Sequence, residues 1–149
     1  MPTDWTNLDS LVSPHFTVRE LTYLPSWQVC HIPTESEKNN LTALANKMEE
    51  LRSFLALPIN VHCAIRPILN NVNSGRNGQD YNTFVGGAPK SAHIVGLALD
   101  WDCGQDCDET RYVLNPQLEN FNIRMENNPK SNWVHIDLMP PNPNRFFIP

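Results

Sequence analysis

Three side chains able to bind a metal or move a proton sit in two short stretches of this chain. "SAHIVGLALDWD" (residues 91–102) carries His93 and Asp100 seven positions apart, and "NWVHIDL" (residues 132–138) carries His135. Read as strands with a period of two, the first stretch sends Gly96, Ala98, Asp100 and Asp102 to one face and Leu97, Leu99 and Trp101 to the other. The second puts Trp133, His135 and Asp137 on one face, with Val134, Ile136 and Leu138 packed behind. If the two strands are neighbours, His135 and Asp100 meet over a shallow floor of Gly96 and Ala98. His93, at the loop end of the first strand, then curls back over that floor, whose small residues leave room for an ion and its substrate. Two imidazoles and one carboxylate match the three protein ligands of a catalytic zinc, which keeps a fourth position for water and brings its pKa towards ~7. If the strands lie apart, the same residues are ordinary hydrogen-bonding groups. His135 and Asp137 also form the H-x-D half of an iron-binding facial triad, but that triad normally needs a histidine well downstream, and twelve residues follow Asp137.

The elements that must carry these residues are legible in outline. "FTVREL" offers Thr17 as an N-cap with Glu20 to complete a capping box, so a short helix starts at Val18. "TESEKNNLTALANKMEELRSFLALP" repeats the device with Thr34 and Glu37. It then places Leu41, Leu44, Ala45, Met48, Leu51 and Leu55 on one helical stripe that Pro58 ends. "INVHCAIRP" alternates as a strand closing on Arg66. Residues 70–90 have loop composition throughout, which predicts a surface loop beside the site. "NFNIRMENNPKSNWVHIDL" reads as a hairpin turning at Asn128 to Ser131. Helices first and an antiparallel sheet later make an α+β class, with N-terminal helices packed on a small antiparallel sheet that carries the metal site.

Composition bounds the function. A length of 149 residues and 40% hydrophobic content predict a single domain with one core. A net charge of −5 without clustered Lys and Arg speaks against nucleic acid as a partner. No apolar run approaches the ~18 residues of a membrane span, and the opening "MPTDWTNLDS" lacks the basic and apolar regions of an export signal. The expectation is a monomer made in the cytoplasm without a signal. The four cysteines read as reduced thiols, with a small Cys103–Cys107 bridge in "CGQDC" as the oxidised alternative. His15, His31 and His62 read as hydrogen-bonded histidines, and Asp106, Asp108 and Glu109 as a solvated acidic loop. From about residue 139 the tail, ending in "PPNPNRFFIP", is expected to lie extended on the surface with Phe146 and Phe147 docked.

"SAHIVGLALD" matches the S-x-H-x-x-G-x-A-x-D pattern of the zinc D-Ala-D-Ala carboxypeptidase and L-alanyl-D-glutamate peptidase family, and "WVHID" resembles its second histidine motif. "SPHFTVRELT", "NNLTALANKMEELRSFLALPINVHCAIRP" and "VGGAPKSAH" extend the resemblance over roughly residues 10 to 138. It implies the hedgehog or D-Ala-D-Ala peptidase-like fold, with His93, Asp100 and His135 as zinc ligands. Arg66 corresponds to the arginine that holds a substrate carboxylate or the polarised carbonyl, and Ser91 to a serine that supports the substrate or the loop. The implied substrate is the stem peptide of bacterial peptidoglycan, cut by carboxypeptidase or endopeptidase action. With neither export signal nor wall-binding domain, the expected setting is a phage lysis enzyme released by a holin, or a phage virion component, acting on the cell wall or in the periplasm, with a bacterial cytoplasmic homologue as the remaining alternative.

One departure bears on mechanism. Many members carry a catalytic glutamate three residues before the last histidine, where this chain has Asn132. Asp137 is then the first choice for the base. Glu126 is the second, since a hairpin centred on Pro129 and Lys130 sets it opposite Trp133. Without a base the alternative is a non-catalytic zinc-binding module of a virion or wall-associated protein.

Overall fold

Paired threonine and glutamate side chains start both expected helices in the computed structural model, which describes residues 2–68 and 79–149. A hairpin of β1 (Leu11–Ser13) and β2 (Phe16–Thr17) leads into α1 (Val18–Thr22), and a second of β3 (Tyr23–Leu24) and β4 (Val29–Cys30) leads towards α2 (Glu35–Leu55). Thr17 and Glu20 close a capping box on α1, and Thr34 and Glu37 do so on α2, each threonine stabilising its helix by about 1 kcal/mol. α2 ends at Ala56 in the left-handed conformation, ahead of Pro58. Its stripe of Leu41, Leu44, Ala45, Met48 and Leu51 is fully buried, while Leu55 packs at the margin of the core.

The second half supplies the sheet. After β5 (Asn60–Cys63) come α3 (Tyr81–Phe84), a 3-10 turn at Ala92–Val95, β6 (Ala98–Asp102) and α4 (Cys107–Leu114). A 3-10 turn at Asn115–Gln117, α5 (Leu118–Phe121), β7 (Arg124–Glu126), β8 (Val134–Asp137) and β9 (Phe146–Phe147) complete the chain. The strand order is β5-β6-β8-β7-β9, antiparallel except for the parallel pair β7 and β9. Leu99, Trp101, Met125, Val134 and Ile136 join the α2 stripe in one core, so the opposite sheet face is left for Asp100 and His135. The class is α+β with small sheets. Among the described residues no helix is long and apolar enough to cross a membrane.

Four local expectations change. The segment 70–90 is not loop throughout: residues 69–78 lie outside the described part, but Asp80 caps α3 by accepting from the Thr83 amide, and Tyr81 enters the core against Trp27. The tail is not wholly irregular, because Phe146 and Phe147, beyond the last interrupting proline, add β9 to the sheet edge. The strand expected to close on Arg66 ends at Cys63. Gly96 belongs to no strand. It ends the 3-10 turn at φ +78°, and a Cβ there would stand 3.2 Å from the Leu41 side chain, so its smallness serves the turn and helix packing rather than room for an ion.

Candidate metal centre

β6 and β8 are hydrogen-bonded neighbours, with Asp100 directly opposite His135 and Ala98 opposite Asp137. His93 reaches them from the 3-10 turn, whose N-cap Ser91 accepts a hydrogen bond from the His93 amide at 3.3 Å. Arg66 fixes the turn from the other side, its amide donating to the His93 carbonyl at 2.8 Å and its Nη2 to Asp100 Oδ2 at 2.6 Å. His93, Asp100 and His135 are all buried, and each turns one ligand atom towards the same point. His93 Nε2 and His135 Nδ1 are 3.2 Å apart, and Asp100 Oδ1 lies 3.1 Å from the first and 2.9 Å from the second.

The outer edges of the two rings decide which nitrogen carries the proton. His93 Nδ1 is 2.6 Å from the Ala64 carbonyl, which can only accept, so Nδ1 carries the hydrogen and Nε2 presents a lone pair. His135 Nε2 is 3.2 Å from Asp137 Oδ2, so in the neutral ring the hydrogen sits there and Nδ1 presents a lone pair. Three electron-rich atoms thus crowd one point, an arrangement that repels itself unless a cation or a proton stands between them. Zinc fits this donor set, since ligand distances of ~2.0–2.2 Å in tetrahedral geometry keep the donors about 3.3 Å apart. Histidine ligands held by a carboxylate and a backbone carbonyl are the usual outer support of such a site.

Charge follows the same geometry. Burial works against ionisation of Asp100, but the neighbouring His93 and His135 rings, the latter donating from Nδ1 while it is protonated, hold its carboxyl well below the usual range. Burial pushes His93 towards the neutral form. It does the same to His135, but hydrogen bonds to Asp100 and Asp137 outweigh it and lift the ring to about 9. The cluster holds a positive charge at neutral pH, as a proton when nothing better is bound.

Asp137, the expected base, stands at the Nε2 edge of His135, away from the ligand point. It accepts from Arg124 Nε at 2.7 Å and Nη2 at 2.8 Å, and from the Met139 amide at 3.0 Å, while Phe147 covers the guanidinium with its ring centre 4.4 Å from Cζ. Burial would raise the Asp137 carboxyl, yet the bonds from His135 and Arg124 hold it at about 2. A carboxylate with all its partners in place orients a ring. Its depressed pKa means that the stability it lends is complete above the unfolded value of ~3.9 and is lost as pH falls through about 2. Asp137→Ala strands the Arg124 charge, so denaturant unfolding is expected to show a loss of about 3 kcal/mol, and zinc titration a fall in affinity of ~10–100-fold.

Glu126 is placed differently from expectation. The β7–β8 register pairs Arg124 with Asp137 and Met125 with Ile136, and one step further sets Glu126 opposite His135 rather than Trp133. The connection is two residues longer than a tight turn at Pro129 and Lys130 requires. Glu126 Oε1 consequently lies 4.0 Å from His135 Nδ1, on the ligand side of the ring, and lines the cleft over the cluster together with Arg66, Ser91 and Trp133. Asn132 lines a separate cavity over the acidic loop.

The remaining histidines are hydrogen-bonded: His15 to Glu49, His31 to Glu37 and His62 to Asp102. Asp106 caps α4 and Asp108 pairs with Arg111, which accounts for the acidic loop. Cys103 and Cys107 are unbridged. The His62–Asp102 pair, and the Arg124 and Phe147 behind Asp137, are the parts of this region that sequence reasoning missed. The face alternation of Asp102 was a signal for the first of these; the Arg124–Asp137 pairing follows only from the observed register.

A family model described as Peptidase M15 matches residues 14–137. No curated protein and no solved structure gives a significant match.

Proposed function

Because the chain belongs to the Peptidase M15 family, we propose that it is a zinc-dependent peptidase that hydrolyses stem-peptide bonds of bacterial peptidoglycan. Membership implies a metallopeptidase, and the convergence of His93 Nε2, Asp100 Oδ1 and His135 Nδ1 on one point at the floor of a cleft is the observation that carries the reading. The same reading takes the helix-on-sheet arrangement as the D-Ala-D-Ala peptidase-like fold. Those three atoms would hold the zinc, which when bound supplies a Lewis acid and a water of lowered pKa.

The chain's own groups do the rest. We assign proton transfer to Glu126, which is on the ligand side of His135, and not to Asp137, whose partners are complete. Glu126 takes a proton from the attacking water as the new C–O bond forms, and gives it to the amine nitrogen as the C–N bond breaks. Arg66 keeps Asp100 and the His93 turn in place and lends its positive charge to the carbonyl oxygen as negative charge develops there. Ser91 fixes the turn that carries His93. Arg66→Lys is expected to keep its zinc and lose about 10²-fold in kcat, because a single ammonium cannot reproduce the planar, several-donor guanidinium. Metal analysis beside turnover measurement checks this.

The reading as a whole is tested by digesting purified peptidoglycan with zinc-loaded protein and identifying the products by mass spectrometry. New amine and carboxyl ends within the stem peptide are expected. An unchanged muropeptide profile would overturn it.

A further inference from the structure

The cleft over the ligand cluster does not stop at its edges. Its central part, about 230 Å³, lies between Gly86, Gly87, Glu126 and Trp133. Past Trp133 and Arg66 it opens into a cavity of about 380 Å³ that reaches Pro25, Ser26, His62 and Tyr81. Past Ser91 and Glu126 it continues into a further 210 Å³ bounded by Lys90, Arg124, Phe147 and Ile148. Shared walls join the three into one trough, with the ligand cluster in its middle. Gly86 contributes bare backbone to the wall, and a Cβ added there would meet nothing within 4 Å, so an extended peptide can come close to the main chain.

The charges along the trough bear on what fits it. An enzyme that removes one C-terminal residue commonly holds the terminal carboxylate with a cation just beyond the scissile bond, taken out of water. Arg66, bonded to Asp100, is engaged at the reacting carbonyl in the reading above, and Arg124 is held through two bonds by Asp137. His62 is held by Asp102. Lys90 is exposed, where an ammonium in water contributes little. Among the described residues, no buried cation without an acidic partner closes either end.

We infer that the substrate lies through the whole trough and is cut at an internal bond, with residues bound on both sides of the metal centre; this rests on the peptidase reading above. Remote contacts on each side would then add to transition-state binding.

Three synthetic peptides of one stem-peptide sequence test this with zinc-loaded protein: one with a free C-terminus, the same peptide as its carboxamide, and one extended by two residues at each end. The carboxamide is expected to react within about threefold of the free acid, and the extended peptide about tenfold faster in kcat/KM. Each product should carry two or more residues. Release of a single C-terminal residue, with amidation costing about 100-fold, would overturn the internal-bond inference and leave the peptidase reading standing. Hydrolysis of none of the three would overturn both.

Discussion

His135→Ala protein is expected to lose both its zinc and its peptide hydrolysis. His135 Nδ1 is one of three donor atoms, so the variant offers a two-ligand site. The loss of affinity should exceed the ~10–100-fold that follows when only an outer partner of a ligand is removed. The Asp137–Arg124 pair remains, so unfolding stability should change less than in Asp137→Ala, which separates loss of metal from loss of fold. The site's charge adds a pH signature. His135 is raised to about 9 and therefore carries its proton at neutral pH in the metal-free protein, whereas zinc requires the neutral ring. Zinc uptake at pH 7 should release close to one proton, and apparent affinity should rise with pH by about tenfold per unit until pH approaches 9. Calorimetry in buffers of different ionisation enthalpy reads the proton; affinity independent of pH would mean that the His135 ring is already neutral in the metal-free protein.

Glu126→Gln should lower kcat by ~10²–10⁴ with zinc content and KM little changed, because the amide keeps the size of the side chain and cannot accept a proton. Asp137→Asn supplies the contrast. Its effect should fall on stability and metal affinity, since Asp137 faces His135 Nε2 and Arg124 rather than the cleft centre. If Glu126→Gln turns over normally with zinc bound, the proton passes through another group and the assignment fails.

The pattern of side chains explains how much of this was readable. Capping boxes and the leucine stripe of α2 are local, so Thr17, Thr34 and Leu41 to Leu51 fixed the helices without reference to the rest of the chain. Strand alternation put Asp100 and His135 on matching faces, and the β6–β8 pairing then joined them. Register was harder. The length of the Asn127–Trp133 connection is not set by local preference, and a two-residue difference moves Glu126 from Trp133 to His135. That shift decides which carboxylate faces the cluster. Gly96 misled for a related reason: a glycine looks the same in sequence whether it leaves room for a ligand or permits a positive φ beside a packed helix. The Arg124 and Phe147 support of Asp137 depends on a parallel edge strand contributed by the end of the chain, a contact too distant in sequence for any periodicity to show.

Zinc-edge X-ray absorption of the metal-loaded protein tests the central claim most directly, because it counts and types the atoms around the ion. The expected spectrum has only nitrogen and oxygen neighbours at ~2.0–2.2 Å, with the multiple-scattering pattern of two imidazoles, and is unchanged in Cys63→Ser. Cys63 is the informative control, as its thiol borders the cavity next to Asp100 and is pushed up to about 11 by burial. Sulfur scattering at ~2.3 Å, or a single imidazole, would contradict a site made of His93, Asp100 and His135.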